Sequence, residues 1–167
     1  NAEDAPYDPE NTLNYELGFK SNLLENRLKF NLTGFYIQYS DQQVFTVLDA
    51  ATFNFGTDNI GESRSFGLEI ESQWVAAKGL TINANIGYLN TEIVDFISSG
   101  IDFFTFEEIQ NDESGNDLPV SPEFNGNLNI VYKVPISDKL SFEASVDYIY
   151  QSEMFWDIPN QVSQDAY

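Results

Sequence analysis

Apolar and polar residues alternate along most of this chain. In "PENTLNYELGFKS" (9–21), Leu13, Tyr15, Leu17 and Phe19 alternate with Asn14, Glu16, Gly18 and Lys20. A repeat of two puts successive side chains on opposite faces of an extended chain, so this segment is predicted to be a strand with one apolar and one polar face. The pattern recurs five more times. "RLKFNL" (27–32) aligns Leu28, Phe30 and Leu32; after a phase slip at Thr33-Gly34, Phe35, Ile37 and Tyr39 continue the apolar row. A glycine at such a slip suggests a bulge or bend. "SFGLEIESQW" (65–74), "LTINANIGYL" (80–89), "FNGNLNIVY" (124–132) and "LSFEASVDYIY" (140–150) repeat the alternation. Six strands of about ten residues match a tilted, bilayer-crossing strand (~9–11 residues) better than a globular one (~5–6). By this phasing no charge falls on an apolar face.

The connections alternate as well. "NLLEN" (22–26), "VAAKG" (75–79) and "KVPISDK" (133–139) are short, whereas 40–63 and 93–122 are long and rich in Asp, Gly, Asn and Ser. Short turns at one end and long loops at the other are the signature of an outer-membrane barrel. Charge follows the same axis. Lys20, Arg27, Lys29, Lys78, Lys133 and Lys139 lie in or beside the short turns, with Arg64 the exception. The acids Asp41, Asp49, Asp58, Glu62, Asp95, Asp102, Glu107, Glu108, Asp112, Glu113 and Asp117 lie in the long loops. Tyr36, Tyr39, Tyr88, Tyr132, Tyr148, Tyr150 and Trp74 sit toward strand ends, as interfacial girdles would. The competing reading is a soluble sandwich with tyrosine at its edges.

Composition removes other classes. The net charge of −20 argues against nucleic acid, whose binding needs clustered Lys and Arg. No Cys and no His are present, so thiolate metal sites and the commonest general base are absent. No catalytic constellation is found, and an enzyme is not expected. Glu69 and Glu71 share a strand face, but a polar face meeting water accounts for them. No apolar run is long enough for a transmembrane helix, and "NAEDAPYDPE" has no signal-peptide character.

The residues together resemble a known family. "PENTLNYELGFKSNLLENRLKFNLTGFYIQYSDQQV" is similar to the PE-x-x-x-x-YE-x-G-x-K…R-x-x-x-x-x-x-x-FY segment of TonB-dependent outer-membrane receptors. "NIGESRSFGLEIESQW" resembles their N-x-G-x-x-x-x-x-G-x-E-x-E strand, and "LPVSPEFNGNLNIVY" their L-P-x-x-P-x-x-x-x-x-x-x-x-Y segment. The resemblance spans nearly the whole chain. It implies an all-β fold, an antiparallel transmembrane β-barrel of 22 strands with a plugged lumen, of which residues 1–167 form a late, partial segment. "QDAY" (164–167) would approach a further strand, and the plug and final strands would lie outside this chain. The implied setting is the outer membrane of a Gram-negative bacterium. The implied partners are outer-membrane lipid, the plug and remaining strands, TonB through the plug, and a small-molecule or glycan ligand. The imported solute would be an iron chelate (siderophore uptake), haem, cobalamin, a metal or a glycan. The alternative is an isolated β-rich fragment that self-assembles through its open strand edges into a multi-chain barrel or fibre.

Two loop features are candidate sites. "TFNFG" (52–56) and "FFTF" (103–106) place Phe53, Phe55, Phe103, Phe104 and Phe106 where they could hold a ligand by stacking, or pack the loops together. "NDESGND" (111–117) offers Asp112, Glu113, Asn116 and Asp117 as hard oxygen ligands for a cation such as Ca2+, without the EF-hand spacing; the alternative is a solvated acidic loop. No other cofactor is expected. Acidic loops at the entry would disfavour an anionic chelate.

Overall fold

A computed structural model describes residues 8–49, 52, 54–102, 104–105 and 108–167. The strands are β1 (Asn11–Leu23), β2 (Leu28–Asp49), β3 (Asn54–Ala77), β4 (Leu80–Asp95), β5 (Ile97–Ile101), β6 (Glu108–Asp112), β7 (Phe124–Ser137), β8 (Leu140–Gln151), β9 (Met154–Phe155) and β10 (Ser163–Gln164). Six of them form one antiparallel sheet in the order β1-β2-β3-β4-β7-β8; β5 pairs with β6 and β9 with β10. The sheet is an open meander, and the barrel is not closed within this chain. Tyr167 begins to extend it: its N–H donates to the Gln151 carbonyl at 3.0 Å, and the Gln151 N–H returns the bond at 2.9 Å.

Register explains the two faces. One row of partners runs Leu17↔Gly34↔Leu68↔Tyr88↔Phe124, and a parallel row runs Phe19↔Leu32↔Ile70↔Ile86↔Gly126↔Tyr150. Because partners across a ladder point the same way, these rows build one apolar face over all six strands. That face stands in the open: Leu17 is 81% exposed and Val146 66%. Along β1 the apolar positions span Leu13 to Leu23, which at ~3.3 Å per residue and a ~40° tilt covers about 25 Å, the height of a barrel's apolar band. Aromatic rings gather at both levels. Trp74 and Tyr132 lie toward the short turns; Tyr15, Tyr36, Phe66, Tyr88 and Phe124 lie toward the other end. There Tyr88 bridges Phe66 and Phe124 at centroid distances of 6.0 and 5.0 Å.

Register also corrects the sequence reading at Thr33-Gly34. No bulge occurs there, since pairing on both sides of β2 is continuous through Gly34. Gly34 and Tyr36 therefore continue the apolar face, and Phe35, Ile37 and Tyr39 lie on the polar one. Tyr39 thus belongs to no outward girdle. Phe35 has a packing reason to turn inward. It is the direct partner of Gly67, and a Cβ on Gly67 would lie 2.5 Å from the Phe35 ring. The aromatic ring covers the backbone that glycine leaves bare.

The strands outlast the predicted ten residues. β2 and β3 run on as a paired hairpin as far as Asp49↔Asn54, so most of 40–63 is strand rather than loop. Likewise 93–122 contains the end of β4 and the β5–β6 hairpin. Beyond the membrane band the period of two lapses, as at Val44-Phe45-Thr46-Val47-Leu48, where apolar residues fall on both parities, so the segment reads as loop. Arg64 and Glu92 also fall on the apolar parity, at its outer end, joined by a 2.7 Å ion pair. The apolar face is therefore uncharged only below that level.

The short turns stand as expected, at residues 24–27, 78–79 and 138–139. Gly79 carries one of the two-residue turns. Its φ is +79°, and its carbonyl accepts the Lys133 N–H at 2.7 Å; a Cβ there would sit 2.3 Å from the Lys133 carbonyl oxygen. Gly79→Ala adds left-handed strain and a backbone clash, and should cost about 1–3 kcal/mol. Urea unfolding of the whole protein in detergent checks this; an unchanged midpoint would refute the strain.

Candidate functional site

The polar face is built as ladders. Gln73 donates to Asn83 at 3.2 Å, Asn83 to Asn129 at 2.9 Å, and Asn129 to Asp147 at 2.7 Å, one row across β3, β4, β7 and β8. The next row, Asn31↔Glu71↔Asn85↔Asn127, adds Asn85 to Asn127 at 2.9 Å and Asn31 to Glu71 at 3.1 Å. An amide has a donor and an acceptor on one head, so asparagines at alternate positions relay hydrogen bonds from strand to strand. Glu69 and Glu71 sit here, on the wall of a trough of about 480 Å³ with Asn85, Asn127 and Phe35.

At the end opposite the short turns, the connections pack into a unit with its own core. Ile93 is fully buried and Phe96 nearly so, with Leu118 and Ile158 packed against them. Glu113 is 3% exposed. Its carboxylate accepts from Ser98 Oγ at 2.6 Å and from Asn116 Nδ2 at 3.0 Å. The other sequence-predicted oxygen ligands are used locally. Asp112 caps the turn by accepting the Ser114 N–H at 3.0 Å, and hydrogen bonds from Ser114 hold its carboxyl below the ordinary range. Asn116 also donates to the Ile158 carbonyl, and Asp117 is held to Asn160 through its backbone. Burial first, and the Glu123 charge second, push the Asp117 carboxyl up. Of the four residues of "NDESGND", Glu113 and Asn116 bond each other, Asp112 caps its own turn, and Asp117 is held through its backbone. Among the described residues no group of three or more acids is placed to hold a metal ion.

Of the aromatic candidates, Phe104 is 96% exposed in the β5–β6 turn, where Asp102 accepts its N–H at 2.8 Å. Phe55 lies in β3 opposite Val47. Phe53, Phe103 and Phe106, and the side chain of Phe55, lie outside the described residues. A cavity of about 280 Å³ opens beside this packed unit, bordered by Thr91, Asp117, Glu123, Glu153, Met154 and Phe155. Sequence reasoning passed over the segment that completes the unit, Met154 to Val162. Its one readable signal was the turn composition of "DIPN" (157–160).

The fold and its two faces define a piece of a transmembrane β-barrel, and comparison with known proteins gives the class. The model of the "TonB dependent receptor-like, beta-barrel" family matches residues 1–167. The chain belongs to that family. It is similar to the probable TonB-dependent siderophore receptor PiuA of Acinetobacter baumannii, with 28% identity over 161 residues, covering 96% of this chain and 20% of that protein. Among solved structures it resembles the ferric yersiniabactin uptake receptor FyuA of Yersinia pestis (TM-score 0.69, 18% identity, 95% of this chain and 21% of that one). It also resembles the siderophore receptor PiuA of Acinetobacter baumannii (TM-score 0.68, 22% identity, 96% and 21%). The chain spans about a fifth of the length of these relatives. At these identities the structures speak for the fold.

Two measurements test this packing. Glu113→Ala leaves the Ser98 hydroxyl and the Asn116 amide without their buried acceptor, at a cost of about 2–3 kcal/mol to the loop unit. Proteases should then cut within 108–118 of the whole protein, while Glu113→Gln, which keeps one acceptor, resists longer; equal resistance of all three forms would refute the role. The Asp117 shift has a definite sign. A carboxyl raised in the folded state binds its proton more tightly there, so acidification through its folded value favours the packed loops, while Asp112, lowered, opposes this further down. Asp117→Asn should therefore abolish the low-pH gain in loop protection and leave only the loss.

Proposed function

We propose that the whole protein to which this barrel segment belongs sits in the outer membrane of a Gram-negative bacterium and imports a ferric siderophore with energy delivered through TonB. The observation that carries the reading is the exposed apolar face, continuous over six strands and backed by a laddered polar face. At roughly 1.5–3 kcal/mol per large side chain, such a face in water would cost on the order of tens of kcal/mol. Typical net stability is only about 5–15 kcal/mol. Lipid removes that cost. The name of the curated relative supports a siderophore over haem, cobalamin, a free metal or a glycan.

The polar face would then line the lumen and meet the plug. The end carrying β5, β6 and β9 would be extracellular, and its exposed groups would meet the ligand. Acids dominate there, and the one base at that level, Arg64, is already paired with Glu92. Like-charge repulsion then favours a neutral or cationic iron complex over an anionic one. Ca2+ bound by the acidic loops belongs to the same reading only as a screening counter-ion.

The test is growth of a gene-deleted strain under iron limitation. Complementation with the full gene should restore uptake of a neutral tris-hydroxamate iron complex more than of a trianionic tris-catecholate complex, and loss of TonB should abolish it. Leu17→Arg, at mid-face, should cost about 2–4 kcal/mol of membrane stability and lower the amount of receptor in the outer membrane. Unimpaired iron uptake in the deleted strain, or a receptor found outside the membrane fraction, would overturn the reading.

A further inference from the structure

We infer that residues 113–120 of the β4–β7 connection and residues 154–162 after β8 form one preassembled body, keyed by Asn160, so that neither moves as an independent flap. Two observations from opposite sides of the joint support this. From one side, Asn160 Nδ2 reaches the carbonyls of Asp117 at 3.0 Å, Asp157 at 3.2 Å and Ile158 at 3.3 Å, while its Oδ1 accepts the Asp117 N–H at 2.8 Å. From the other, Asn116 Nδ2 donates to Ile158 O at 3.0 Å, and the Val120 N–H donates to Phe155 O at 2.7 Å.

The apolar contact runs through the same joint. Leu118 from one segment and Ile158 from the other close over Ile93 and Phe96. Ile93 exchanges backbone bonds with the loop at 2.8 Å each way, accepting from Gly115 and donating to Asn116. The conformation of the backbone points the same way. Val120 has φ +59° and Asn160 φ +54°. Asparagine tolerates the left-handed region, but a β-branched valine persists there only where its surroundings over-determine it. Independent flaps would not hold it.

The consequence for a receptor is specific. Ordering two long connections separately on a ligand would subtract from affinity, and a body assembled beforehand removes that cost. Any closure over the ligand must then come from elsewhere on the rim, or carry both segments together.

Hydrogen exchange on the whole receptor in detergent, with no ligand added, tests the inference directly. The amides of Gly115, Leu118 and Val120, and those of Trp156 and Val162, should be protected far above free loops. The decisive reading is reciprocal. Asn160→Gly, which keeps the left-handed backbone accessible, should speed exchange at Leu118 and Val120 roughly tenfold or more. Asn116→Ala should do the same at Trp156 and Val162. Amides of Ile82 and Ile130 in the sheet should not change. Acceleration confined to the mutated segment, or loop-like exchange in the unaltered protein, would overturn the inference.

Discussion

Everything in this chain depends on an unbroken antiparallel register. Each strand has a period of two, so a slip of one residue at any pair would send its apolar row to the polar side. Through six strands the rows stay in phase, from Leu17 through Leu68 to Phe124. The hydrogen bonds of the ladder thus hold the backbone together and also sort the side chains between two solvents. The irregularities lie near the edges of the apolar band, at Val75/Ala77, Pro135/Ser137 and Glu62/Ser63, or well beyond it, at Val47/Asp49, where a change of phase no longer mixes the faces.

The two faces use different physics. The apolar one has no packed core behind it; its stability is borrowed from whatever covers it, and a bilayer is the cover that fits its height. The polar one supports itself through amide relays such as Gln73–Asn83–Asn129–Asp147. Among the described residues the buried apolar side chains, Ile93, Phe96 and Met154, all lie at the far end, where the connections fold on one another. That end behaves like a small water-soluble unit: a buried acid satisfied by Ser98 and Asn116, turn caps, and a short core.

Much of this was legible in the sequence. Alternation gave the six strands, their faces, and the side on which the short turns lie. The slip at Thr33-Gly34 misled, because Phe35 and Ile37 look like a continued apolar row. The register turns both inward, and Phe35 packs there on Gly67, 32 residues away; one strand cannot show what packs on it. Strand ends were read short because beyond the apolar band the period that signals a strand disappears, as at Val44-Phe45-Thr46-Val47-Leu48. The carboxylates of "NDESGND" were visible as oxygen ligands, but their direction was not. Ser98 and Asn116 hold the Glu113 carboxylate and the Ser114 N–H holds that of Asp112; of these partners Ser98 lies outside 111–117, and nothing in that segment announces it.

The central claim is that one face of the sheet meets lipid and the other does not. Spin labels placed singly along β1 and at positions 35 to 37 of β2, in the whole receptor reconstituted into bilayers, measure this directly. Collision with oxygen, which concentrates in lipid, should be high at positions 13, 15, 17, 19 and 36 and low at 14, 16, 18, 35 and 37. A polar relaxer should show the reverse. Accessibility to the polar relaxer without a period of two, or high oxygen collision at 35 and 37, would contradict the account.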